Sequence, residues 1–307
     1  MNATDFTFGS PDGEKIFVYK WMPEGKVRAA VQIAHGMTEH AARYERLART
    51  LTAAGFAVYA NDHRGHGKTA GTHDRGGIYA ASNGFRIVIE DMHQLTEIIK
   101  KENPGIPVFL LGHSMGSFLS QGYVSLYGNE LAGLVLSGSA GDNRALARMG
   151  RLIARIICVF RGRTFRSRLL DTLSFGAFNK PFAPNRTAFD WLSRDAAEVD
   201  KYVADPWCGF LCTAGFFYDL ASGLVWIHTP STVKRIPQAL PVFAIAGSED
   251  PVGGKGKLVR KLVRMYETHG ICDLAWKLYP GARHEILNEI NRDEVTADIL
   301  EWLEKRV

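Results

Sequence analysis

The chain has 307 residues, of which 46% are hydrophobic and 22% charged, and its formal net charge is +5. This is the composition of an ordinary globular protein. Its length allows one large domain or one domain with an insertion, and a core of this size needs no disulfide or metal for support. The basic residues are scattered except for Arg161–Arg168. Because no nucleic-acid-binding motif accompanies that cluster, nucleic-acid binding is not expected.

Targeting and membrane signals are also missing. The N-terminal residues carry acids and lack the apolar stretch of a secretory signal. No segment approaches the roughly 18 uncharged apolar residues that a spanning helix needs. The cysteines form no CxxC pair and no Cys/His cluster, so we expect reduced, mostly buried thiols and a cytoplasmic protein. These cysteines are Cys158, Cys208, Cys212 and Cys272.

The first 140 residues alternate between strand and helix patterns. Two β-like runs, Asp5–Gly9 and Lys15–Trp21, flank an Asp-Gly pair that signals a hairpin. Apolar runs then alternate with amphipathic helical patterns, which indicates a parallel sheet covered on both faces. The apolar runs are 29–35, 56–62, 107–113 and 131–139, and the helical patterns are 42–55, 85–99 and 118–127.

The alternation fails after Ala140 and resumes at Pro241–Asp250. The intervening stretch is rich in Phe, Trp, Arg and Ile, and it begins with a helical pattern around Ile153. A helix (258–268), a strand (274–279) and a terminal helix (293–305) follow the resumption. We therefore predict an α/β protein with one open, mostly parallel sheet. Residues 1–140 and 241–307 would form its core, and residues 141–240 an inserted helical cap.

The sharpest motif is the G-x-S-x-G at Gly112–Gly116, which lies between a predicted strand and a predicted helix. That is the context in which the motif presents a nucleophilic serine. The glycines allow a tight reversal of the chain, which leaves the serine in strained backbone geometry at a helix N-terminus, where a developing anion is favoured. The motif predicts Ser114 as the nucleophile.

A serine hydroxyl needs a base, and the chain order serine, acid, histidine indicates where to look for it. His284 lies in the loop after the last predicted strand, and Asp250 lies in the loop after the preceding strand. Both loops leave the C-terminal ends of parallel strands, where ligands bind in open α/β sheets. We expect His284 to take the Ser114 proton and return it to the leaving alcohol, and Asp250 to orient His284.

Other residues compete for these two roles. Asp142 follows another predicted strand that can reach the same edge, and Glu249 is adjacent to Asp250, so both stay open as alternative acids. Structural roles are favoured for the histidines of the early loops, of the insertion and of a helix end. These are His35, His40, His63, His66, His228 and His269.

An oxyanion hole is the third requirement of this chemistry. One backbone N–H should come from Met115, which follows the nucleophile. The other should come from Met37, in the loop after the first parallel strand, where Gly36 lets the backbone turn.

Two rival motifs are weak. The run Asp62–Thr69 ends in Gly-Lys-Thr, but a phosphate-binding P-loop needs glycine where Asp62 stands. His63 and His66 have the spacing of metal ligands, yet no further ligands follow at suitable spacing. Neither a cofactor nor a metal is predicted.

Five runs together resemble one family. They are HGMTEHAARY, NDHRGHGKTAG, LGHSMGS, GSEDPV and PGARHEILNE, between Ala34 and Asn288. In this order they resemble the monoacylglycerol lipase and lysophospholipase-like branch of the α/β-hydrolases, which is also grouped with the serine aminopeptidases. The resemblance implies the α/β-hydrolase fold, a helical cap between the sixth and seventh of eight strands, and ester hydrolysis without a cofactor. It also implies the roles given above for Ser114, Asp250, His284, Met37 and Met115.

The chain departs from the family pattern at Thr38 and Ser117, where the family often has a smaller residue, frequently glycine. The cap matches poorly, and in this family the cap sets substrate choice. Most cap aromatics should be ordinary packing, while a minority could line an apolar acyl tunnel. The cluster Arg161–Arg168 could contact anionic lipid, which would place the protein at a membrane surface.

The function expected from these residues is hydrolysis of monoacylglycerols, lysophospholipids or other medium-length acyl esters. An amidase or aminopeptidase on the same fold is one alternative, and it would need a carboxylate near the pocket to hold a substrate amine. A catalytically silent binding protein is the other alternative. Such a protein would be expected to have lost a catalytic residue, whereas all three candidates are available.

Overall fold

Eight strands form a single mixed sheet in the computed structural model, which describes residues 1–307. They are β1 (Asn2–Gly9), β2 (Lys15–Met22), β3 (Ala29–Ala34), β4 (Phe56–Asn61), β5 (Val108–His113), β6 (Gly133–Ser137), β7 (Val242–Gly247) and β8 (Leu274–Tyr279). Their order across the sheet is β1-β2-β4-β3-β5-β6-β7-β8. The hairpin β1–β2 and the pair β2–β4 are antiparallel, and every other pair is parallel. The predicted α/β class and the predicted strands are confirmed, although β1 begins at Asn2, earlier than the sequence indicated.

The central strands are apolar because both of their faces are covered. Every residue of β3, β4, β5, β6 and β7 is buried. Successive side chains of a strand point to opposite faces. Accordingly, Val108 and Leu110 of β5 belong to a hydrophobic cluster of 36 buried residues, while Phe109 and Leu111 belong to a second cluster of 24. These two clusters are the cores on the two faces of the sheet.

Eleven α-helices accompany the sheet. Their bounds are α1 Glu45–Ala53, α2 Gly67–Ala70, α3 Gly84–Glu102, α4 Met115–Tyr127, α5 Arg144–Arg161, α6 Arg168–Phe175, α7 Ala196–Ala204, α8 Ala214–Ile227, α9 Pro230–Val233, α10 Lys257–His269 and α11 Arg292–Glu304. The amphipathic pattern of residues 85–99 becomes α3, whose buried residues include Phe85, Val88, Met92 and Leu95. None of these helices combines the length and the apolarity needed to cross a membrane.

The segment between β6 and β7 contains helices α5 to α9 and no strand of the sheet. Part of this segment is continuous with the larger core. Phe216 and Ile227 of α8 lie in the same hydrophobic cluster as Phe85 of α3 and Leu119 of α4. Three buried residues of the segment form a small separate cluster, Trp191, Leu192 and Tyr202. The division into a core and a cap at 141–240 stays a prediction, with α8 packed directly on the core helices.

All four cysteines are free. Cys212 is buried, and Cys158 and Cys208 are partly buried. Cys272 is exposed, so the expectation of mostly buried thiols is wrong at that position. It lies in the turn that leads into β8, where its backbone N–H bonds to the Gln238 carbonyl while the side chain faces outward.

The packing of α8 on α3 gives a stability prediction. A Cβ added at Gly223 of α8 would lie 2.3 Å from Phe85 ring carbons, whereas a Cβ at Gly150 of α5 would meet nothing within 4 Å. We expect Gly223→Ala to lower the free energy of unfolding by about 1–3 kcal/mol through overpacking. Gly150→Ala is the matched control. Its free energy of unfolding should rise by about 0.5–1 kcal/mol, because glycine weakens a helix interior. Urea unfolding of the two variants measures the difference, and equal stabilities would contradict the described contact.

Candidate active site

Ser114 stands at the sharp turn between β5 and α4. Its backbone has φ 52° and ψ −119°, a region that residues other than glycine rarely occupy. The two motif glycines make the turn possible. A Cβ at Gly112 would lie 2.4 Å from Ser120 Oγ, and a Cβ at Gly116 would lie 2.0 Å from the Ala34 carbonyl oxygen. The backbone of Ser114 donates a hydrogen bond of 2.9 Å to the Ser137 carbonyl, which ties the turn to β6.

His284 and Asp250 form a hydrogen-bonded pair. His284 Nδ1 lies 3.0 Å from Asp250 Oδ1, and both side chains are buried. The loop after β7 carries Asp250, and the loop after β8 carries His284, as the sequence predicted. Asp250 Oδ1 also accepts the Val252 backbone N–H at 2.8 Å. Ser114 and His284 both line one cavity, so the structure brings the predicted nucleophile, base and acid to the same edge of the sheet.

The surroundings of His284 favour its protonated form. Burial opposes protonation, but the charge of Asp250 and its hydrogen bond outweigh burial and raise the pKa of His284 above its ordinary value. The imidazole packs between the rings of Trp191 and His113, with centroid distances of 5.1 Å and 4.8 Å. An imidazole held by a buried carboxylate is suited to take a proton from a neighbouring hydroxyl and give it up again.

His113 is a residue of the site that the sequence reasoning missed, although it stands inside the motif. Burial and the neighbouring His284 lower the pKa of His113 to about 4, so its imidazole is neutral near neutral pH. Its Nδ1 lies 3.1 Å from Ser137 Oγ. Gly138, at φ 58°, allows both imidazoles to approach, because a Cβ there would lie 3.0 Å from His284 Cε1. His113 therefore forms the wall behind the base.

The alternative acids have other partners. Asp142 pairs with Arg144, from Oδ2 to Nη2 at 2.8 Å, and one third of its side chain is exposed. Glu249 pairs with Lys255 at 2.7 Å. Neither contacts His284, so the geometry favours Asp250.

The histidines of the early loops hold those loops together. His35 Nε2 accepts the His63 backbone N–H at 2.9 Å, and the rings of His35 and His66 lie 5.1 Å apart. Burial lowers the pKa of both His63 and His66 to about 3, so they are neutral. Asp62 accepts the backbone N–H groups of Ala41 and Lys68. In the Gly-Lys-Thr loop this carboxylate occupies the donors that a phosphate would need.

The two backbone N–H groups predicted to form the oxyanion hole are both free. Those of Met37 and Met115 donate to no acceptor of the chain, whereas the neighbouring Gly36 N–H donates to Glu39 Oε1 at 2.6 Å. The loop lies against the nucleophile, since a Cβ on Gly36 would be 3.3 Å from Ser114 Cβ. Thr38 has φ 53°, which explains why glycine is frequent at this position in the resembling family.

A buried ionic network joins this loop to the loop of His284. The guanidinium of Arg43 donates to Glu39 at 2.5 Å and to both carboxylate oxygens of Glu285 at 2.7 Å. Tyr44 donates to Glu39 at 2.8 Å. Burial opposes ionisation of both acids, but Arg43 outweighs it and lowers the pKa of Glu39 and of Glu285. The sequence reasoning missed this network, although Glu39 and Arg43 lie in the HGMTEHAARY run and Glu285 follows His284.

The cavity beside Ser114 encloses about 910 Å³ of empty space and is open to solvent. Its walls come from the Gly36–Glu39 loop, from the loop of His284 and from the inserted segment. The inserted segment contributes most of the aromatic side chains. These aromatic residues are Phe175, Phe189, Trp191, Tyr202 and Phe210.

The buried ionic network around Arg43 leads to a prediction about the free energy of unfolding. Arg43→Met leaves Glu39 and Glu285 buried without their cation, so we expect a loss of about 3–5 kcal/mol in the free energy of unfolding. The triple variant Glu39→Gln, Arg43→Met, Glu285→Gln removes all three charges and should recover most of that loss. Arg49→Met is the control, since Arg49 makes an exposed ion pair with Glu45. Chemical denaturation checks both expectations, and a mild Arg43→Met variant would contradict the buried network.

Comparison with known proteins agrees with this geometry. Residues 25–291 match the family model described as serine aminopeptidase, S33. Human monoglyceride lipase is 30% identical over 96% of this chain and 88% of its own length. A monoacylglycerol lipase from Mycolicibacterium smegmatis is 29% identical over 98% of this chain and 96% of its own length. The crystal structure of a carboxyl esterase from Bacillus coagulans in complex with glycerol has a TM-score of 0.91 at 30% identity, with 100% of this chain and 99% of that chain covered. The chain therefore belongs to the serine aminopeptidase S33 family and has the α/β-hydrolase fold, in the branch of ester-cleaving serine hydrolases that contains the monoacylglycerol lipases.

Proposed function

We propose that the protein hydrolyses monoacylglycerols, lysophospholipids or similar medium-length acyl esters through an acyl-enzyme on Ser114. The observation that carries this proposal is the buried hydrogen bond of 3.0 Å between His284 and Asp250 beside Ser114. No cofactor takes part in these steps, because the nucleophile, the base and the oxyanion donors all come from the chain.

The reaction has two halves. Ser114 Oγ attacks the ester carbonyl carbon while its proton passes to His284, and the backbone N–H groups of Met37 and Met115 hold the oxyanion. The C–O bond to the alcohol then breaks, and the alcohol takes the proton from His284. A water molecule attacks the acyl-enzyme in the same way, which releases the fatty acid and restores Ser114. Asp250 keeps the His284 tautomer fixed throughout.

The names of the relatives bear on the choice between ester and amide substrates. The proteins at 29–30% identity that cover nearly the whole chain are named as monoacylglycerol or monoglyceride lipases and as a carboxyl esterase. These names favour ester substrates over the amidase alternative. A silent binding protein is not favoured, because Ser114, Asp250 and His284 are all present and two of them are hydrogen bonded.

A second, larger cavity supplies space for the acyl chain. It encloses about 1540 Å³ and is lined mainly by apolar side chains of α5, α6 and α8. Pro251 and Val252, which follow Asp250, reach its wall, and Phe178 and Phe217 line it. Residues of α6 line both this apolar space and the cavity beside Ser114. We assign the acyl chain to the apolar cavity and the alcohol group to the smaller one.

The outer face of α5 is suited to a membrane surface. Its exposed apolar residues recur at helical spacing and lie beside the exposed Arg148 and Arg155. They are Leu146, Met149, Leu152, Ile156, Val159 and Phe160. Apolar residues flanked by arginines bind membranes with anionic lipids. Phe160 is 79% exposed and is an exception among the cap aromatics, most of which are expected to pack internally.

The Arg161–Arg168 cluster contributes less to this face than the sequence indicated. Arg163 pairs with Asp219, and Arg166 binds backbone carbonyls, while Arg161 and Arg168 are exposed. We therefore centre the proposed membrane contact on α5. Four free thiols are compatible with the reducing cytoplasm, where we place the protein as a peripheral membrane enzyme.

The proposed reaction is tested with p-nitrophenyl esters of increasing chain length and with aminoacyl anilides. We expect the esters to be hydrolysed faster than the anilides, and Ser114→Ala to lose at least about 10³-fold in kcat, because the acyl-enzyme cannot form. Ser125→Ala is the control, since Ser125 lies in the same helix α4 and its hydroxyl donates to the Gly122 carbonyl at 2.7 Å, away from the turn. Faster anilide turnover, or full ester turnover by Ser114→Ala, would overturn the proposal.

The membrane contact is tested by sedimentation with lipid vesicles. We expect stronger binding to anionic than to neutral vesicles, because apolar insertion and arginine charge act together. Val159→Glu with Phe160→Glu should abolish that binding. Ile290→Glu is the matched control, because Ile290 is also exposed, at 62%, but lies outside the inserted segment. No preference for anionic lipid, or unchanged binding by the double variant, would contradict a membrane contact through α5.

A further inference from the structure

The cavity beside Ser114 has acidic walls, and His113 and His284 are its only basic lining residues. Three carboxylates line it, those of Glu39, Asp171 and Glu285, and no lysine or arginine does. Glu39 and Glu285 share the guanidinium of Arg43. One cation thus neutralises one of the two charges, and Asp171 adds a further negative charge to the wall.

Asp171 has no partner within the chain. Its carboxylate accepts no hydrogen bond and makes no ion pair, and burial is the only influence on its pKa, which it raises. Asp171 lies in the first turn of α6, where the helix dipole favours an acid. The dipole accounts for an exposed acid at this position. It does not explain why a partly buried carboxylate without a counter-ion faces a catalytic cavity, where desolvation is a cost.

Aromatic rings surround the same space. Phe175 and Trp191 line the cavity, and so do Phe189, Tyr202 and Phe210. Aromatic faces attract ammonium groups, and aromatic rings with a carboxylate are the usual means of binding quaternary ammonium. One ring of this wall already binds a cation, since the Arg43 guanidinium lies 4.9 Å from the centroid of Tyr202.

The cavity also differs in charge from the rest of the molecule. The whole chain has a formal charge of +5, and the outer surface of α5 presents arginines. A negative cavity in a positive protein attracts cationic groups locally and repels anionic ones. In the proposed arrangement the alcohol group of the substrate occupies this cavity, because the acyl chain is assigned to the apolar cavity.

We propose that Asp171 and the aromatic side chains around it form a binding site for a cationic group, so that the enzyme prefers esters whose alcohol carries an ammonium group. This inference rests on the ester hydrolysis proposed above and specifies its substrate class.

The test compares two octanoate esters of the same shape, the choline ester and the neutral 3,3-dimethylbutyl ester. We expect kcat/KM to be about tenfold higher for the choline ester, which corresponds to about 1.4 kcal/mol. Asp171→Asn should bring the ratio of the two kcat/KM values close to one, mainly through KM for the choline ester. Asp142→Asn is the matched control, because it removes the same charge outside the cavity, and it should keep the ratio.

A binding measurement gives a readout that does not depend on turnover. Tetramethylammonium should inhibit hydrolysis competitively, and it should bind Ser114→Ala in calorimetry. Asp171→Asn should raise both the inhibition constant and the dissociation constant about tenfold. Equal kcat/KM for the two esters in the native enzyme, or a ratio that persists in Asp171→Asn, overturns the cationic site alone. Hydrolysis of neither ester overturns the proposed function instead, and calorimetry then still decides whether the cation binds.

Discussion

The site depends on the strained backbone of Ser114. A residue at φ 52° and ψ −119° costs of order 1–3 kcal/mol and persists only where the surroundings fix it. In this protein, hydrogen bonds and packing contacts before and after Ser114 fix its backbone. The Ser114 backbone N–H is bonded to β6, the Ser117 hydroxyl donates to the Ser114 carbonyl at 2.6 Å, and Gly116 packs against the end of β3. The turn thereby presents the hydroxyl at the start of α4, beside the free N–H of Met115.

The parallel sheet brings the other participants to that turn. Asp250 and His284 follow neighbouring strands, so residues far apart in sequence meet at one edge. The inserted segment then fixes both catalytic loops. The His284 and Glu285 backbone N–H groups donate to the carbonyls of Trp191 and Leu192, and Tyr202 donates to the Thr38 carbonyl at 2.9 Å. The inserted segment therefore lines the cavity and is also hydrogen bonded to the loops that carry His284 and Met37.

The sequence predicted those parts of the molecule that local patterns determine. Buried strands are apolar runs, and the turn at Ser114 requires glycines at fixed offsets, so the sheet and the candidate residues Ser114, Asp250 and His284 were all predictable. The full network of Glu39, Arg43 and Glu285 was not, because Arg43 and Glu285 are 242 residues apart and no local pattern links them.

The inserted segment was predictable only as helical. Whether an aromatic or acidic side chain faces the core, the cavity or solvent depends on how each helix packs. Phe216 of α8 is buried in the main core, Phe160 of α5 is exposed, and Asp171 of α6 faces the cavity. The direction in which each of these side chains points is set by the packing of its helix, which the sequence does not give by itself. Five aromatic side chains of this segment line the cavity, so the catalytic candidates were easier to predict than the shape of the cavity.

The most direct test of the account is to locate the covalent adduct. After reaction with a fluorophosphonate probe and proteolysis, mass spectrometry of the peptides should find the label on Ser114 alone. Ser114→Ala should remain unlabelled, and Asp250→Asn should be labelled much more slowly because its His284 is no longer held in the productive tautomer. A label on any other residue, or labelling that persists in Ser114→Ala, would contradict the central claim that the strained turn at Ser114 carries the nucleophile.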